Sequence, residues 1–287
     1  MNRFIKVIIV ATFCALPFLS QPLMAGKPPA HIMAFLMNNT PLKPTKVFDN
    51  VYCIGSVSVT TWAIKTSEGI ILIDSMWDDN DAKMIEKGMI ELGLDPKDLK
   101  YILVSHGHGD HYGGAKYLAD KYHAKVAMTK VDTDFMNTLN KGPNGPRSPK
   151  APVSMFLKDG DVVTLGDRSV KILVTPGHTP GGMSFIFPVM NDGEKHNAIL
   201  WGGTGIPRDM KSKLAYKKSV EHFITEAKKV NADVSLTAHL FIGSGFDDLK
   251  AAGIRKKGEK NPFILGKDGI QKYYTQMRES INKAINN

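Results

Sequence analysis

The amino-acid sequence predicts an α/β protein that forms a four-layer αβ/βα sandwich. Short apolar runs typical of buried strands alternate with patterns of helical periodicity, and this succession occurs twice along the chain. The two halves are separated by residues 140–152, where proline and glycine interrupt every periodic pattern. Each half is expected to form one sheet with helices on one face, so that the two uncovered sheet faces pack against each other.

The first half is predicted to contain five strands and two helices. Gly55-Ser56 and Ser67–Gly69 are turn signals between the first three strands, and Gly93 ends the first helix. The predicted strands are Val47–Ile54, Val57–Lys65, Ile70–Ile73, Tyr101–Val104 and Lys125–Met128, and the predicted helices are Asp78–Leu92 and Ala115–Tyr122.

The second half is predicted to repeat this order with five strands and two helices. Its last helix is amphipathic and is expected to cover the second sheet with its apolar face. The predicted strands are Val162–Leu165, Ser169–Val174, Met183–Phe187, Ala198–Trp201 and Val234–Thr237, and the predicted helices are Leu214–Val230 and Gly269–Ile285.

The N-terminus has the features of a secretory signal peptide. Arg3 and Lys6 are basic, the apolar run Val7–Leu16 comes next, and a small-residue cleavage point follows. The apolar run is too short to span a bilayer as a helix. We therefore expect residues 1–25 to be removed and residues 26–287 to form a single domain in the periplasm, without stable membrane association.

The segment after the predicted cleavage point is rich in proline, methionine and asparagine and contains the apolar patch Ile32–Met37. This patch either packs onto the protein as an ordered arm or covers the apolar side of a bulky substrate as a flap. The sequence leaves both alternatives open.

The net charge and the cysteine content indicate which binding partners and cross-links to expect. The chain has a formal net charge of +9, and removal of residues 1–25 leaves 35 basic and 28 acidic residues. No aromatic–basic interleaving or nucleic-acid-binding motif accompanies this excess, so we expect a solvated basic surface and no nucleic-acid partner. Only Cys53 remains after cleavage, which excludes an internal disulfide, and we expect a monomer.

Four potential metal ligands lie within six residues where a predicted strand ends. The apolar run Tyr101–Val104 precedes them, and the loops after strands are where open α/β sheets bind their ligands. Gly107 and Gly109 alternate with the polar residues and allow the backbone to bend sharply. Imidazole nitrogen and carboxylate oxygen are the usual zinc ligands. The four residues are His106, His108, Asp110 and His111.

Two further histidines lie in matching positions at strand ends. His178 comes shortly after the strand that ends at Val174, and His239 comes shortly after the strand that begins at Val234. A single histidine at a strand end is more often structural, but three strand ends with the same chemistry predict a shared metal site. The other histidines lack such a setting and are interpreted as surface residues, although the N-terminal arm could bring the first of them to the site. They are His31, His123, His196 and His222.

The histidine and aspartate spacing of the cluster, together with the later Pro-Gly-His-Thr motif, resembles the metallo-β-lactamase superfamily. The similarity runs from about Val47 to the C-terminus and includes Ile71–Asp74 and Asn261–Phe263. The chain is most similar to subclass B3 metallo-β-lactamases, which implies the metallo-β-lactamase fold and two Zn²⁺ per chain. The resemblance assigns the first zinc to His106, His108 and His178 and the second zinc to Asp110, His111 and His239.

Residue 204 separates the branches of this superfamily. Other subclasses place a cysteine ligand here, and glyoxalase-like and lactonase-like members place a metal-bridging aspartate in this region. The chain has Thr204, with no aspartate or cysteine before Asp209. Subclass B3 enzymes usually have serine at this position and often proline where Leu240 stands. These two departures bear on the shape of the substrate pocket.

The resemblance implies hydrolysis of the β-lactam ring of penicillins, cephalosporins and carbapenems by a hydroxide that two zinc ions share. It gives Asp110 a catalytic role in orienting this nucleophile and relaying its proton. Thr179 and Thr204 are candidates to bind the substrate carboxylate, and Asp74 is expected to support the metal loop. The alternatives are a lactonase or thioesterase of the same fold, or a periplasmic zinc-binding protein without significant hydrolysis.

Overall fold

The computed structural model describes residues 30–139 and 150–287. The predicted signal peptide, residues 1–25, and most of the predicted proline- and glycine-rich segment lie outside these ranges. Within them, no helix combines the length and the apolar character needed to cross a membrane. The predicted fold class is confirmed, because two β-sheets pack face to face and helices cover both outer faces.

The first sheet has seven strands whose order in the sheet equals their order in the chain. They are β1 (Thr45–Phe48), β2 (Val51–Gly55), β3 (Thr60–Thr66), β4 (Gly69–Ile73), β5 (Leu99–Leu103), β6 (Lys125–Met128) and β7 (Val153–Phe156). Strands β1 to β4 pair antiparallel, and β4 to β7 pair parallel. The parallel pairs require crossover connections, which place helices on the outer face.

The second sheet has five strands, which also follow chain order. They are β8 (Val162–Leu165), β9 (Arg168–Val174), β10 (Met183–Asn191), β11 (Glu194–Leu200) and β12 (Val234–Leu236). Strands β8 to β11 pair antiparallel, whereas β12 pairs parallel with β11.

Three of the described α-helices begin at a side chain that caps their free backbone N–H groups. Asp78, Thr129 and Asp209 cap the second, fifth and sixth helices of the described ranges. The helices are α1 (Ala30–Leu36), α2 (Asp79–Glu91), α3 (Gly109–Tyr112), α4 (Ala115–Tyr122), α5 (Lys130–Thr138), α6 (Met210–Lys229), α7 (Gly245–Ile254) and α8 (Gly266–Asn286).

Three hydrophobic cores hold the four layers together. The central core lies between the two sheets, where Trp62 of β3 and Phe185 of β10 are fully buried. One outer core lies between the first sheet and helices α2 and α4, and the other lies between the second sheet and helices α6 and α8. Burial of each large apolar side chain contributes about 1.5–3 kcal/mol, so covering both faces of both sheets stabilises the sandwich.

The structure corrects several predicted elements. The predicted strand Val47–Ile54 is a hairpin, because the chain reverses at Asp49-Asn50 and Phe48 pairs with Val51. Helices α5 and α7 and strand β7 are absent from the sequence-based prediction.

Strand β10 is longer than predicted because Pro188 does not end it. The pairing of β10 with β9 ends at Ile186, so no hydrogen bond across that pair needs the N–H that proline lacks. The strand continues beside β11 as far as Asn191.

The topology brings the loops that follow β5, β9 and β12 to one edge of the sandwich. Backbone hydrogen bonds join two of these loops to strands of the opposite sheet, β10 and β3. Met183 N donates to Ser105 O at 2.7 Å, and Thr60 N donates to Ala238 O at 2.8 Å. The loops that carry the predicted ligands are therefore held against each other by the fold itself.

Gly113, which directly follows α3, provides a test of this packing. A Cβ atom on Gly113 would lie 1.7 Å from Trp77 O, whereas one on Gly253 in α7 would meet nothing closer than 3.4 Å. We expect Gly113→Ala to lower the free energy of unfolding of the zinc-loaded protein by about 1–3 kcal/mol or more. Gly253→Ala, the control, should be neutral or stabilise the helix by up to about 1 kcal/mol. Chemical denaturation measures both, and equal stability of the two variants would contradict the close approach at Gly113.

Candidate metal centre

All six predicted metal ligands lie together in two adjoining groups. The two groups meet where the ring centroids of His106 and His111 are 4.0 Å apart. Within each group, one ligand atom from every residue lies within 4.8 Å of the others. The first trio consists of His106, His108 and His178, and the second trio consists of Asp110, His111 and His239.

The spacing of the ligand atoms suits a metal ion at the centre of each trio. In the first trio, His108 Nδ1 lies 3.0 Å from His178 Nε2. In the second, Asp110 Oδ2 lies 3.3 Å from His111 Nε2 and 3.5 Å from His239 Nε2. Two ligands at about 2.1 Å from a tetrahedral zinc ion are about 3.4 Å apart. The observed separations match that value to within a few tenths of an ångström.

Two imidazole nitrogens are buried without a hydrogen bond to protein. They are Nε2 of His106 and Nε2 of His111, and each residue is only 2% exposed. A buried polar atom left without a partner costs about 1–3 kcal/mol, and a lone pair that binds a metal avoids this cost. Because the donors are imidazoles and one carboxylate, the residues present fit zinc at both trios.

Backbone carbonyl groups determine which nitrogen of two ligand imidazoles carries the proton. His178 Nδ1 lies 2.6 Å from Gly205 O, and His239 Nδ1 lies 3.0 Å from Ser58 O. A carbonyl oxygen can only accept a hydrogen bond, so the proton resides on Nδ1 in both residues. Each Nε2 atom therefore presents its lone pair to its trio, as metal binding requires.

Buried Asp74 connects the two trios. Its carboxylate accepts hydrogen bonds from Ser105 N at 2.7 Å, Ser105 Oγ at 3.0 Å and His111 Nδ1 at 2.7 Å. Ser105 Oγ also lies 3.0 Å from His106 Nδ1. The backbone φ of Asp74 is 61°, a left-handed conformation that aspartate tolerates better than most residues. Asp74 thus orients one ligand of each trio, which agrees with its predicted supporting role.

Four ligand imidazoles are held in the neutral form. Burial lowers the pKa of His108 to about 4 and the pKa of His178 to about 3, and neighbouring histidines add to the effect. Burial also holds the pKa of His106 and the pKa of His239 below the ordinary value. A neutral imidazole is the form that binds metal, so the fold favours the binding-competent state.

His111 and Asp110 form a charged pair in the second trio. Burial alone would lower the pKa of His111, but Asp110 and Asp74 outweigh it and raise this pKa to about 10. Burial alone would raise the pKa of Asp110, but the charge of His111 holds that pKa below its ordinary value. The second trio therefore favours a positive charge, and a metal ion bound there would take the place of the proton on His111.

Thr179 does not occupy the place that the sequence predicts for a substrate-binding residue. It is 2% exposed, and its hydroxyl donates to Asp132 Oδ2 at 2.7 Å. Because its proton is already donated and its side chain is buried, the structure argues against a contact with a substrate carboxylate. Asp132 is not among the residues predicted from the sequence, although the spacing Thr129-x-x-Asp132 is a helix-start signal.

Thr204 lies beside the second trio, partly buried. It lines a small cavity together with His106, His111 and His239. The next carboxylate along the chain, Asp209, accepts a hydrogen bond from Ser212 N at 2.8 Å and caps α6. Thr204 is therefore placed where a bound substrate could meet its hydroxyl, and its role as a substrate contact stays a prediction.

The predicted N-terminal arm is ordered and packs beside the second trio. Ser58 Oγ donates to Leu36 O at 2.7 Å. The ring of Phe35 stacks on Phe241 at a centroid distance of 5.1 Å, and Phe241 lies 5.2 Å from the ring of His239. The arm thus forms an aromatic wall next to a ligand, which favours the alternative of an ordered arm.

The histidines interpreted as surface residues stay outside both trios, as far as the structure describes them. His196 pairs with Asp233, and His222 pairs with Asp159. The side chain of His31 lies outside the described part of the structure.

Comparison with known proteins shows what this fold and site are similar to. The model of the metallo-β-lactamase superfamily matches residues 54–191. A segment of 86 residues, 30% of the chain, is 36% identical to a hydroxyacylglutathione hydrolase of Rhodopseudomonas palustris, and the match spans 28% of that protein. A probable polyketide biosynthesis zinc-dependent hydrolase of Bacillus subtilis, PksB, is 23% identical over 76% of the chain and 84% of its own length.

Solved structures of subclass B3 metallo-β-lactamases have the same fold. The enzyme BJP-1 of Bradyrhizobium japonicum superposes with a TM-score of 0.72 and 28% identity, over 85% of this chain and 94% of the enzyme. The FEZ-1 enzyme of Legionella gormanii superposes with a TM-score of 0.74 over 85% of this chain and 96% of the enzyme. Its identity of 23% supports the fold alone.

Metal removal tests the fit of the trios to a cation. A ligand that binds only the native state raises stability by about 2.7 kcal/mol at a hundredfold excess over its dissociation constant. We therefore expect a chelator to lower the melting temperature of zinc-loaded protein by about 5–10 °C. Added zinc should restore it, whereas magnesium should not, because magnesium prefers oxygen ligands. An identical melting temperature before and after verified zinc removal would contradict this account.

Proposed function

We propose that this chain is a periplasmic hydrolase of the metallo-β-lactamase superfamily that opens the β-lactam ring of penicillins, cephalosporins and carbapenems with two zinc ions. The periplasmic location and the monomeric state are part of this proposal and come from the sequence. The substrate class is likewise a proposal, and it rests on the residues around the second trio.

The choice of β-lactams as the substrate class depends on one observation. Both trios have all their ligands, while residue 204, which lines the cavity beside the second trio, is a threonine and neither a cysteine nor an aspartate. The nearest following carboxylate, Asp209, is occupied at the start of α6. A second centre held by Asp110, His111 and His239 alone is the ligand set implied by the resemblance to subclass B3 enzymes.

The side chains of this centre have distinct tasks in the proposed reaction. Zinc, when bound, supplies Lewis acidity and lowers the pKa of water to about 7. Asp110 stays ionised, so its carboxylate accepts a hydrogen bond from the attacking water and relays the proton of that water to the ring nitrogen that leaves when the C–N bond breaks. Thr204 donates its hydroxyl to the substrate carboxylate and fixes the ring over the two trios. The aromatic wall of Phe35 and Phe241 limits access of water on the side of His239.

A thioesterase of the same fold is the second candidate. The similarity of an 86-residue segment to a hydroxyacylglutathione hydrolase favours it. This segment covers 30% of the chain, whereas the likeness to subclass B3 enzymes covers 85%, and we therefore rank β-lactams first.

A panel of substrates separates the two candidates. Zinc-loaded protein should hydrolyse a penicillin, a cephalosporin and a carbapenem faster than an acyl-homoserine lactone or a glutathione thioester. A chelator should abolish each of these activities because the attacking water depends on the metal. Hydrolysis is followed by absorbance with zinc content measured in the same sample. Fully zinc-loaded protein that turns over the thioester and no lactam would refute the proposal.

The role of Thr204 can be tested with two substitutions. Thr204→Val keeps the shape and removes the hydroxyl, whereas Thr204→Ser keeps the hydroxyl. A hydrogen bond to a charged group is worth about 1.5–3 kcal/mol, so Thr204→Val should lower kcat/KM for a carboxylate-bearing lactam by about tenfold or more. Thr204→Ser should stay near the wild type. Steady-state kinetics measure both variants, and a Thr204→Val protein with undiminished kcat/KM would contradict the proposed contact.

A further inference from the structure

Asp132 is a fully buried carboxylate that belongs to neither trio. It lies in the first turn of α5 with 0% exposure. Burial raises the pKa of this carboxyl group, although three hydrogen bonds oppose that effect. A buried carboxylate is costly unless its oxygens are satisfied, so its presence calls for a physical reason.

The three donors to Asp132 come from the two loops that carry the first trio. Gly107 N donates to Oδ2 at 2.8 Å, Thr179 Oγ1 donates to Oδ2 at 2.7 Å, and Gly181 N donates to Oδ1 at 2.6 Å. Gly107 stands between His106 and His108 in the chain. The carboxylate therefore ties together the backbone next to all three ligands of the first trio.

The start of α5 reinforces this link. Thr129 Oγ1 donates to Gly181 O at 2.7 Å and accepts from Asp132 N at 3.0 Å. The backbone itself packs closely here, since a Cβ atom on Gly107 would lie 2.9 Å from Asp132 O and one on Gly181 would lie 2.6 Å from Thr129 Oγ1. The two loops and the helix start thus form one tightly packed unit.

The imidazoles of the second trio form hydrogen bonds with other groups. His111 Nδ1 is hydrogen-bonded to the Asp74 carboxylate, and His239 Nδ1 is hydrogen-bonded to Ser58 O. Asp74 also reaches His106 through Ser105, so its influence extends to both trios. Among the described residues, the donors to the Asp132 carboxylate are Gly107, Thr179 and Gly181, and none of these is adjacent in the chain to a ligand of the second trio.

The hydrogen-bond donors around residue 132 match a carboxylate and no other side chain of the same shape. Three donors converge on two oxygens, and an ionised carboxylate accepts all of them. An asparagine would place its own NH₂ group against at least one N–H or O–H donor, and the loops would have to separate. The shape of the side chain is unchanged in that substitution, so only the acceptor pattern is altered.

We propose that Asp132 is a positioning residue that sets the zinc affinity of the first trio independently of the second. The inference rests on the metal-binding part of the proposed function and requires no particular substrate. It predicts that the first metal site can be weakened through Asp132 while the second site keeps its affinity.

Zinc affinity in single-site proteins tests the proposal. His239→Ala leaves the first trio intact, and His178→Ala leaves the second trio intact. Asp132→Asn should weaken zinc binding about tenfold to a hundredfold in the His239→Ala protein, and less than about threefold in the His178→Ala protein. A competing chromophoric chelator measures these affinities without any substrate. Equal weakening in both backgrounds, or none in either, would overturn the proposal.

Asp134→Asn is the matched control on the same helix. Asp134 is exposed and pairs with Lys130, so this substitution should leave both affinities unchanged. If Asp132→Asn does not fold, Thr179→Val removes one of the three donors and should weaken only the first trio, by a smaller factor. Loss of affinity at the second trio in that variant would also overturn the proposal. Absence of lactam turnover alongside a selective effect would refute the proposed substrate and leave the role of Asp132 intact.

Discussion

Imidazole nitrogens and carboxylate oxygens buried side by side are stable only when each finds a hydrogen-bond partner or a cation. In this protein the constraint acts on six side chains at once. Hydrogen bonds to Ser58, Asp74, Ser105 and Gly205 satisfy one nitrogen of four imidazoles, and the opposite nitrogens converge on two centres. Among these opposite nitrogens, those of His106 and His111 have no hydrogen-bond partner in the protein, so the arrangement suits a cation.

The fold meets this constraint through its topology and two buried carboxylates. The loops after β5, β9 and β12 come from different sheets, and their hydrogen bonds cross the boundary between the sheets. Asp74 links one ligand of each trio, whereas Asp132 fastens the loops of the first trio to α5. The hydrophobic cores therefore determine where the loops meet, and the two carboxylates determine the orientation of the ligand side chains.

The sequence predicts the sandwich and all six ligands because both depend on local signals. Apolar runs predict strands, and histidines directly after them stand out in the chain. Features that depend on tertiary contacts cannot be predicted from such local signals. Thr179 looks like a free hydroxyl in the sequence, but it donates to Asp132, a residue brought to it from 47 positions away. The reversal at Asp49-Asn50 likewise lies inside a continuous strand-like pattern.

Two zinc ions, one in each trio, are the claim on which the proposed chemistry depends. Anomalous diffraction from crystals of zinc-loaded protein, recorded on both sides of the zinc absorption edge, tests it most directly. The account predicts two peaks, each about 2.0–2.2 Å from the three ligand atoms of its trio. A single peak shared by both trios, or a second peak away from Asp110, His111 and His239, would contradict it.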